Sequence, residues 1–261
     1  MRTETPYIDT HFHLLGIEAK GIDVPALLAE MQSEELRGID IGLSAADLGE
    51  RVARFGKTPG IHFAAGLGPW GVREGNAPIS EQLAALVSEI EAFRPVAIGE
   101  IGLDNYRAHG TVAEQEHLLG VQLEIADFHR LPVIFHNRDA DEQFITLLKE
   151  RSFAQRGIFH CYHGGEELAA LAVQKGFFLS FAGTLTYKAN TALQQLFSTI
   201  PIEAILLETD SPYLAPVPLR GKINTPISME HIYRFAAGLR RMDLQEFAAQ
   251  IAKNYAAFIS Q

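Results

Sequence analysis

The chain has one cysteine, Cys161, so it cannot form an internal disulfide, and a reducing, cytoplasmic setting is expected. Long apolar runs are missing as well. Nowhere do 18 apolar residues follow one another, so no membrane span is expected. The stretch from Met1 to Ile8 lacks the apolar core of a signal peptide. There is no basic excess: 22 Lys and Arg stand against 32 Asp and Glu, a net charge of −10. That balance argues against a protein that wraps duplex nucleic acid along a basic face. Any nucleic-acid contact is then local, at a chain end or through a metal. Low-complexity tracts, charge blocks and Ser/Gly linkers are also absent. One domain over residues 1–261 is expected.

What is present is enough apolar material for a full core, 47% of residues, with 21% charged. Eight short apolar or β-branched runs read as strands: Tyr7–His13, Gly38–Leu43, Ile61–Leu67, Val96–Ile101, Pro132–His136, Gly157–His160, Phe177–Phe181 and Ala204–Thr209. Between them lie helical patterns. Asp23–Leu36 carries Val24, Leu27, Leu28 and Met31 at i, i+3, i+4 and i+7. Ser80–Phe93 repeats the pattern behind Ser80 as an N-cap, and Glu114–His129 and Ile227–Leu239 read likewise. Leu244–Phe258 is helical too, either as the eighth barrel helix or as an appendage. Strand starts recur about every 28 residues, the length of one βα unit in a barrel of typical size. The expected fold is α/β, a TIM (β/α)8 barrel of parallel strands with its site at the C-terminal strand ends. An open doubly wound sheet is the alternative, but it would place a Gly-rich loop after the first strand, where histidines stand instead.

Four of the ten histidines fall at such strand ends: His11, His13, His136 and His160. Two carboxylates, Glu100 and Asp210, fall at others. Residues two apart on a strand share a face, so His11 and His13 can reach one ion. A lone His-X-His is a weak signal; four imidazoles at one level are a stronger one. Glu100 stands in an otherwise apolar run, where a carboxylate is costly unless it is paired or metal-bound. Its two oxygens can bridge two cations. Asp210 tips the Leu206-Leu207-Glu208-Thr209-Asp210 segment, and Glu208 is expected to support a ligand rather than to be one. Six such donors suit two divalent ions per chain, with nitrogen-rich ligation favouring Zn, Mn or Co over Mg.

Arg138, two residues past His136, is a candidate contact for an anionic substrate, as are Arg220 and Lys222 in the loop after Asp210. His163 is a candidate substrate contact or proton donor. Cys161 is expected to face away from the site as a packing residue. His62, His109, His117, His129 and His231 are given no role.

Five ordered motifs resemble the TatD family of metal-dependent deoxyribonucleases, within the amidohydrolase-like barrels. They are Asp9-Thr10-His11-Phe12-His13-Leu14, Gly99-Glu100-Ile101-Gly102-Leu103-Asp104, Leu131 to Ala140 around His136, His160-Cys161, and Glu208 to Pro216 followed by Arg220-Gly221-Lys222 and Asn224. The resemblance implies one metal held by His11, His13 and Asp210, a second by His136 and His160, and Glu100 between them. Asp210 would also orient the attacking water and take its proton. Members are often described as using Mg, so Mg joins Zn, Mn and Co as a candidate ion. Two departures stand out. Gly68 occupies the place of a usual histidine, and Tyr162-His163-Gly164-Gly165 replaces a small Ser-Gly sequence. The lost and gained imidazoles read as a compensating pair.

The function these signs point to is a two-metal hydrolase using a metal-bridging hydroxide. A phosphodiesterase or deoxyribonuclease touching DNA, or another phosphodiester, locally at the barrel rim comes first. An amide, ester or lactone hydrolase with the same centre is the alternative. A non-catalytic binding barrel ranks below both.

Overall fold

Each of eight strands is followed by at least one helix, and strands adjacent in sequence pair in parallel to form one sheet ordered β1 to β8. The structure, a computed structural model, describes residues 5–107 and 109–260. The strands are β1 (Ile8–Phe12), β2 (Arg37–Ile41), β3 (Ile61–Ala65), β4 (Ala97–Asp104), β5 (Val133–Arg138), β6 (Ile158–Phe159), β7 (Phe178–Phe181) and β8 (Ile205–Leu207). All eight expected runs are strands, and the expected (β/α)8 barrel is the observed one. The strands are buried on both faces, which is why they read as apolar runs rather than alternating ones.

The helices are α1 (Leu14–Ala19), α2 (Val24–Ser33), α3 (Leu48–Phe55), α4 (Ile79–Phe93), α5 (Val112–His129), α6 (Asp141–Glu150), α7 (Glu166–Gln174), α8 (Thr191–Thr199), α9 (Met229–Arg240) and α10 (Leu244–Ile259). Their ends follow local chemistry. Asp23 caps α2 by accepting from Ala26 N, and Thr111 and Glu114 form a reciprocal capping box at the start of α5. Ser80 is not a cap. Helix α4 begins one residue earlier, behind Pro78, whose fixed φ leads the chain into the first turn. Helix α10 is the closing barrel helix: Asn254 Nδ2 donates to the carbonyls of Ile202 and Ile205, and the Tyr255 hydroxyl lies 2.6 Å from His62 Nδ1.

Strand lengths differ most from expectation where the site lies. Strand β4 runs on to Asp104, whereas β6 and β8 stop before His160 and Glu208. At β6 the cause is local: His160 N still bonds Phe135 O, but Cys161 turns with φ +43°.

The layer between sheet and helices is aromatic around β5 and β6. Phe135, Phe144, Phe159 and Phe177 are fully buried with ring centroids 5.1–5.6 Å apart. Burying each such ring stabilises the fold by about 1.5–3 kcal/mol relative to exposure. This packing anchors the two strands that deliver His136 and His160.

Candidate metal centre

The barrel closes just beyond β8, and the closure assembles half of the site. Asp210 N donates to His11 O (2.9 Å) and His13 N donates to Ser211 O (2.9 Å), so the backbone itself sets Asp210 beside the two histidines. Asp9 fixes the same corner. Its carboxyl accepts from Thr209 N (2.9 Å), Thr209 Oγ1 (2.6 Å) and His11 N (3.2 Å). Burial pushes Asp9 up to about 8, against the pull of the Thr209 hydrogen bonds. The result is a pocket in which His11 Nε2 and His13 Nε2 lie 3.9 and 3.5 Å from Asp210 Oδ1.

Glu100 faces this trio from β4. The β4–β5 pairing shifts register between Gly99 and Ile101, which is a bulge at Glu100, and bulges re-aim side chains. Two residues on, Gly102 has φ +153°, and a Cβ there would meet His136 O at 1.9 Å. Only glycine lets β4 run this close to the strand carrying His136. Glu100 Oε1 lies 3.6 Å from His11 Nε2 and 3.7 Å from His13 Nε2. Its other oxygen, Oε2, lies 3.0 Å from His136 Nδ1 and 2.9 Å from His160 Nε2, and those two nitrogens are 3.2 Å apart. One carboxylate therefore spans two histidine pairs. The four histidines converge on it, and Asp210 joins through His11 and His13.

The donor set fits divalent cations. His11 is fully buried, and among the described residues neither of its ring nitrogens has a hydrogen-bond partner. A buried imidazole left unpaired is a rare and costly arrangement unless something else takes its lone pair. His11, His13 and Asp210 offer ligand atoms close enough to share one ion, and so do His11, Glu100 and His160.

The far ring nitrogens of two histidines are held by a second layer: His13 Nδ1 donates to Ile41 O (3.0 Å) and His160 Nδ1 lies 3.3 Å from Glu208 Oε1, while His136 Nε2 faces Asp104 Oδ2 at 3.6 Å without a hydrogen bond. Such partners fix the ring and its tautomer and strengthen it as a donor. Glu208 also accepts from Cys161 N (2.8 Å), so it holds the turn after β6. Beneath His13, buried Arg51 joins Asp40 (3.1 Å), Asp47 (2.9 Å) and Ala64 O (2.8 Å), while Asp40 accepts from Leu14 N (2.8 Å).

Without metal, the centre is a tightly coupled acid–base cluster. Burial opposes charge on Glu100, but His160, His11 and His136 outweigh it and hold the carboxyl well below its usual range. Burial likewise opposes protonation of His160, yet Glu100 and Glu208 raise it well above the ordinary imidazole value. His13 and His136 are raised in the same way, by Asp210 and Glu100 and by Asp104 and Glu100. His11 is lowered, by burial and by the neighbouring His160.

The centre opens into a cleft of about 1490 Å³. Arg138 and His163 both line it, as expected. Arg138 is not paired with Asp139 or Asp141; its guanidinium lies 4.0 Å over the Tyr106 ring. Asp141 instead accepts from Asn137 Nδ2 and Gly165 N. Lys222 does not reach the cleft wall. It is exposed on the loop after β8, and Arg220 on that loop lies 4.3 Å over Tyr187. Cys161 does not pack away from the site. Because β6 has already ended, it lines the cleft, with Sγ 3.8 Å from His163 Nδ1.

Three cleft residues were missed from sequence. Asp104 follows Glu100 by four positions, and that even spacing on one strand was the available signal. His109 is buried, with Nε2 3.7 Å from Asp104 Oδ2 and Nδ1 accepting from Arg73 (3.1 Å). Trp70, the only tryptophan, lies edge-on to His136 at 6.0 Å between centroids. The compensating imidazole pair is not found: Trp70 fills the space beside Gly68, and His163 donates to Cys161 O (2.7 Å).

A family model described as TatD related DNase matches residues 8–260. The metal-dependent hydrolase YabD of Bacillus subtilis is 31% identical over 249 residues, which is 94% of this chain and 96% of that protein. YcfH of Escherichia coli K12, also named a metal-dependent hydrolase, is 30% identical over 254 residues, 95% and 94% of the two chains. Among solved structures, the TatD homologue YjjV of E. coli K12 superposes with a TM-score of 0.89 at 28% identity over 98% of both chains. A TatD family hydrolase from Entamoeba histolytica shares the fold, with a TM-score of 0.84 at 20% identity over 98% of each.

Proposed function

The chain belongs to the TatD family of metal-dependent hydrolases, and from that premise we propose that it is a two-metal phosphodiesterase acting on DNA ends. The observation that carries the two-metal reading is Glu100, whose oxygens face separate histidine pairs at 2.9–3.7 Å. His11, His13 and Asp210 would hold one ion, His136 and His160 the other, and Glu100 would touch both. Such ions supply Lewis acidity to a phosphoryl oxygen and lower the pKa of a bound water. The donors suit Zn, Mn or Co, with Mg a fourth candidate.

The chain's own residues do the rest. Asp210 is the more exposed carboxylate of the centre, its side chain 15% exposed against 5% for Glu100. It would orient a water and accept its proton, and His13 at 3.5 Å stabilises its charged form. Arg138 is held flat on Tyr106 at the cleft wall, where a guanidinium can take two phosphoryl oxygens at once. His163 stands on the same wall, at the turn after β6, and would be the candidate proton donor to a leaving group. The bond cleaved is therefore an anionic ester rather than a neutral amide. A chain with a net charge of −10 would meet DNA locally at this rim and not along a duplex.

The test is hydrolysis of a single-stranded oligonucleotide and of bis-p-nitrophenyl phosphate with Mg, Mn, Zn or Co, beside Asp210→Asn. Turnover of both, lost in the variant, is the expected result. Turnover of carboxyl esters or lactones in their place would move the same centre onto a carbonyl.

A further inference from the structure

The cleft wall beside His136 is aromatic, and the chain is built to keep it so. A Cβ on Gly68 would come within 2.3–2.5 Å of the six-membered ring of Trp70. Any side chain at position 68 would displace the indole, so Gly68 and Trp70 form one unit. The ring is tied at its other end, where Nε1 donates to Leu43 O (3.0 Å). Its backbone is held too: Pro69 opens the 3₁₀ turn Pro69–Val72, and Asn76 Nδ2 donates to Trp70 O (2.8 Å). Yet Trp70 is only half-buried and lines the cleft, standing at 84° to the His136 ring. A large flat surface, fixed in one orientation and left open beside the reacting centre, loses little freedom when a planar group stacks on it. Arg73, three residues on, lines the same wall and is itself anchored on His109.

We propose that Trp70 is the specificity-determining residue of the cleft, stacking the nucleobase of the nucleotide being released, with Arg73 beside it for that nucleotide's phosphate. The proposal rests on the phosphodiesterase reading above and names the part of the substrate that the metal ligands cannot recognise. A stacked base is held by its π-face, so recognition would tolerate any of the four bases but require one.

Trp70 is also its own reporter, because no other tryptophan contributes to the emission. In Zn-loaded protein, thymidine 5′-monophosphate should quench tryptophan fluorescence saturably, while inorganic phosphate should leave it unchanged. Equal responses to both would overturn the proposal. The kinetic arm compares a single-stranded oligonucleotide carrying a normal terminal nucleotide with one carrying an abasic residue there. Wild-type protein should prefer the base-bearing end by roughly ten- to a hundredfold in kcat/KM. Trp70→Phe should keep most of that preference and Trp70→Ala should lose it. A preference unchanged in Trp70→Ala, or absent in wild type, would overturn the proposal while leaving phosphodiester hydrolysis intact. If neither oligonucleotide is cut but the nucleotide still quenches, the hydrolysis reading fails and the base platform stands.

Discussion

The strand tips and the loops above them are held in different ways. At the tips, His11, Glu100, His136 and His160 hang from buried strands, and each candidate ligand except His11 has a partner fixing its far side or its charge. On the rim above, Arg73 and His163 on loops and Arg138 at the end of β5 have side chains tied by one hydrogen bond or one ring contact each. Lys222 stands clear of the cleft altogether. In the proposed function the barrel separates reactivity from recognition: the tips would set what can be done to a bond, and the rim which molecule presents it.

That separation can be broken at graded points. Asp210→Asn keeps the shape of the centre and removes a negative charge and a base. It should lower kcat by about a thousandfold or more, with KM nearly unchanged, measured with bis-p-nitrophenyl phosphate. Asp104→Asn and Glu208→Gln lie outside the six proposed ligands, yet each should weaken metal affinity by about ten- to a hundredfold in isothermal titration. The pH dependence sharpens this point. His13, His136 and His160 are raised in the metal-free chain, so they hold protons that metal must displace. Affinity should therefore fall as pH drops through and below neutrality, with protons released on binding. The dependence should move to lower pH in Glu208→Gln, because Glu208 helps raise His160.

On the rim the effects should be smaller and of another kind. Arg138→Ala should raise KM for an oligonucleotide by roughly tenfold, the loss of a charge-assisted hydrogen bond, with metal affinity unaltered. Lys222→Ala should change neither kinetics nor metal binding by more than about twofold. A fall in metal affinity for Arg138→Ala, or a large kinetic effect for Lys222→Ala, would show that rim and centre are not separable.

The sequence revealed the two regions unequally, for the same physical reason. Barrel strands are buried on both faces, so apolar runs ending in His, Glu or Asp stand out against their surroundings. All six ligand candidates are of this kind. Asp104 went unseen because a bulge at Glu100 and an extended β4 carry the strand past its expected end. Cys161 was misplaced because strand alternation does not survive the left-handed turn that ends β6. The Gly68–Trp70 unit was read as a lost histidine, since contact between a ring and a bare backbone leaves no periodic trace. Arg138 and Lys222 looked equivalent as rim cations, but β5 runs on past His136 to carry Arg138 to the cleft wall, whereas Lys222 lies on an exposed loop.

The most direct test of the centre is a count of bound metal. Purified chain loaded with Zn or Mn and passed through a desalting column should carry two ions per chain by elemental analysis. The double variant His136→Ala/His160→Ala should carry one, and Glu100→Gln should hold both poorly. A single ion per chain in the wild type, or two in the double variant, would contradict a centre in which Glu100 joins two histidine pairs.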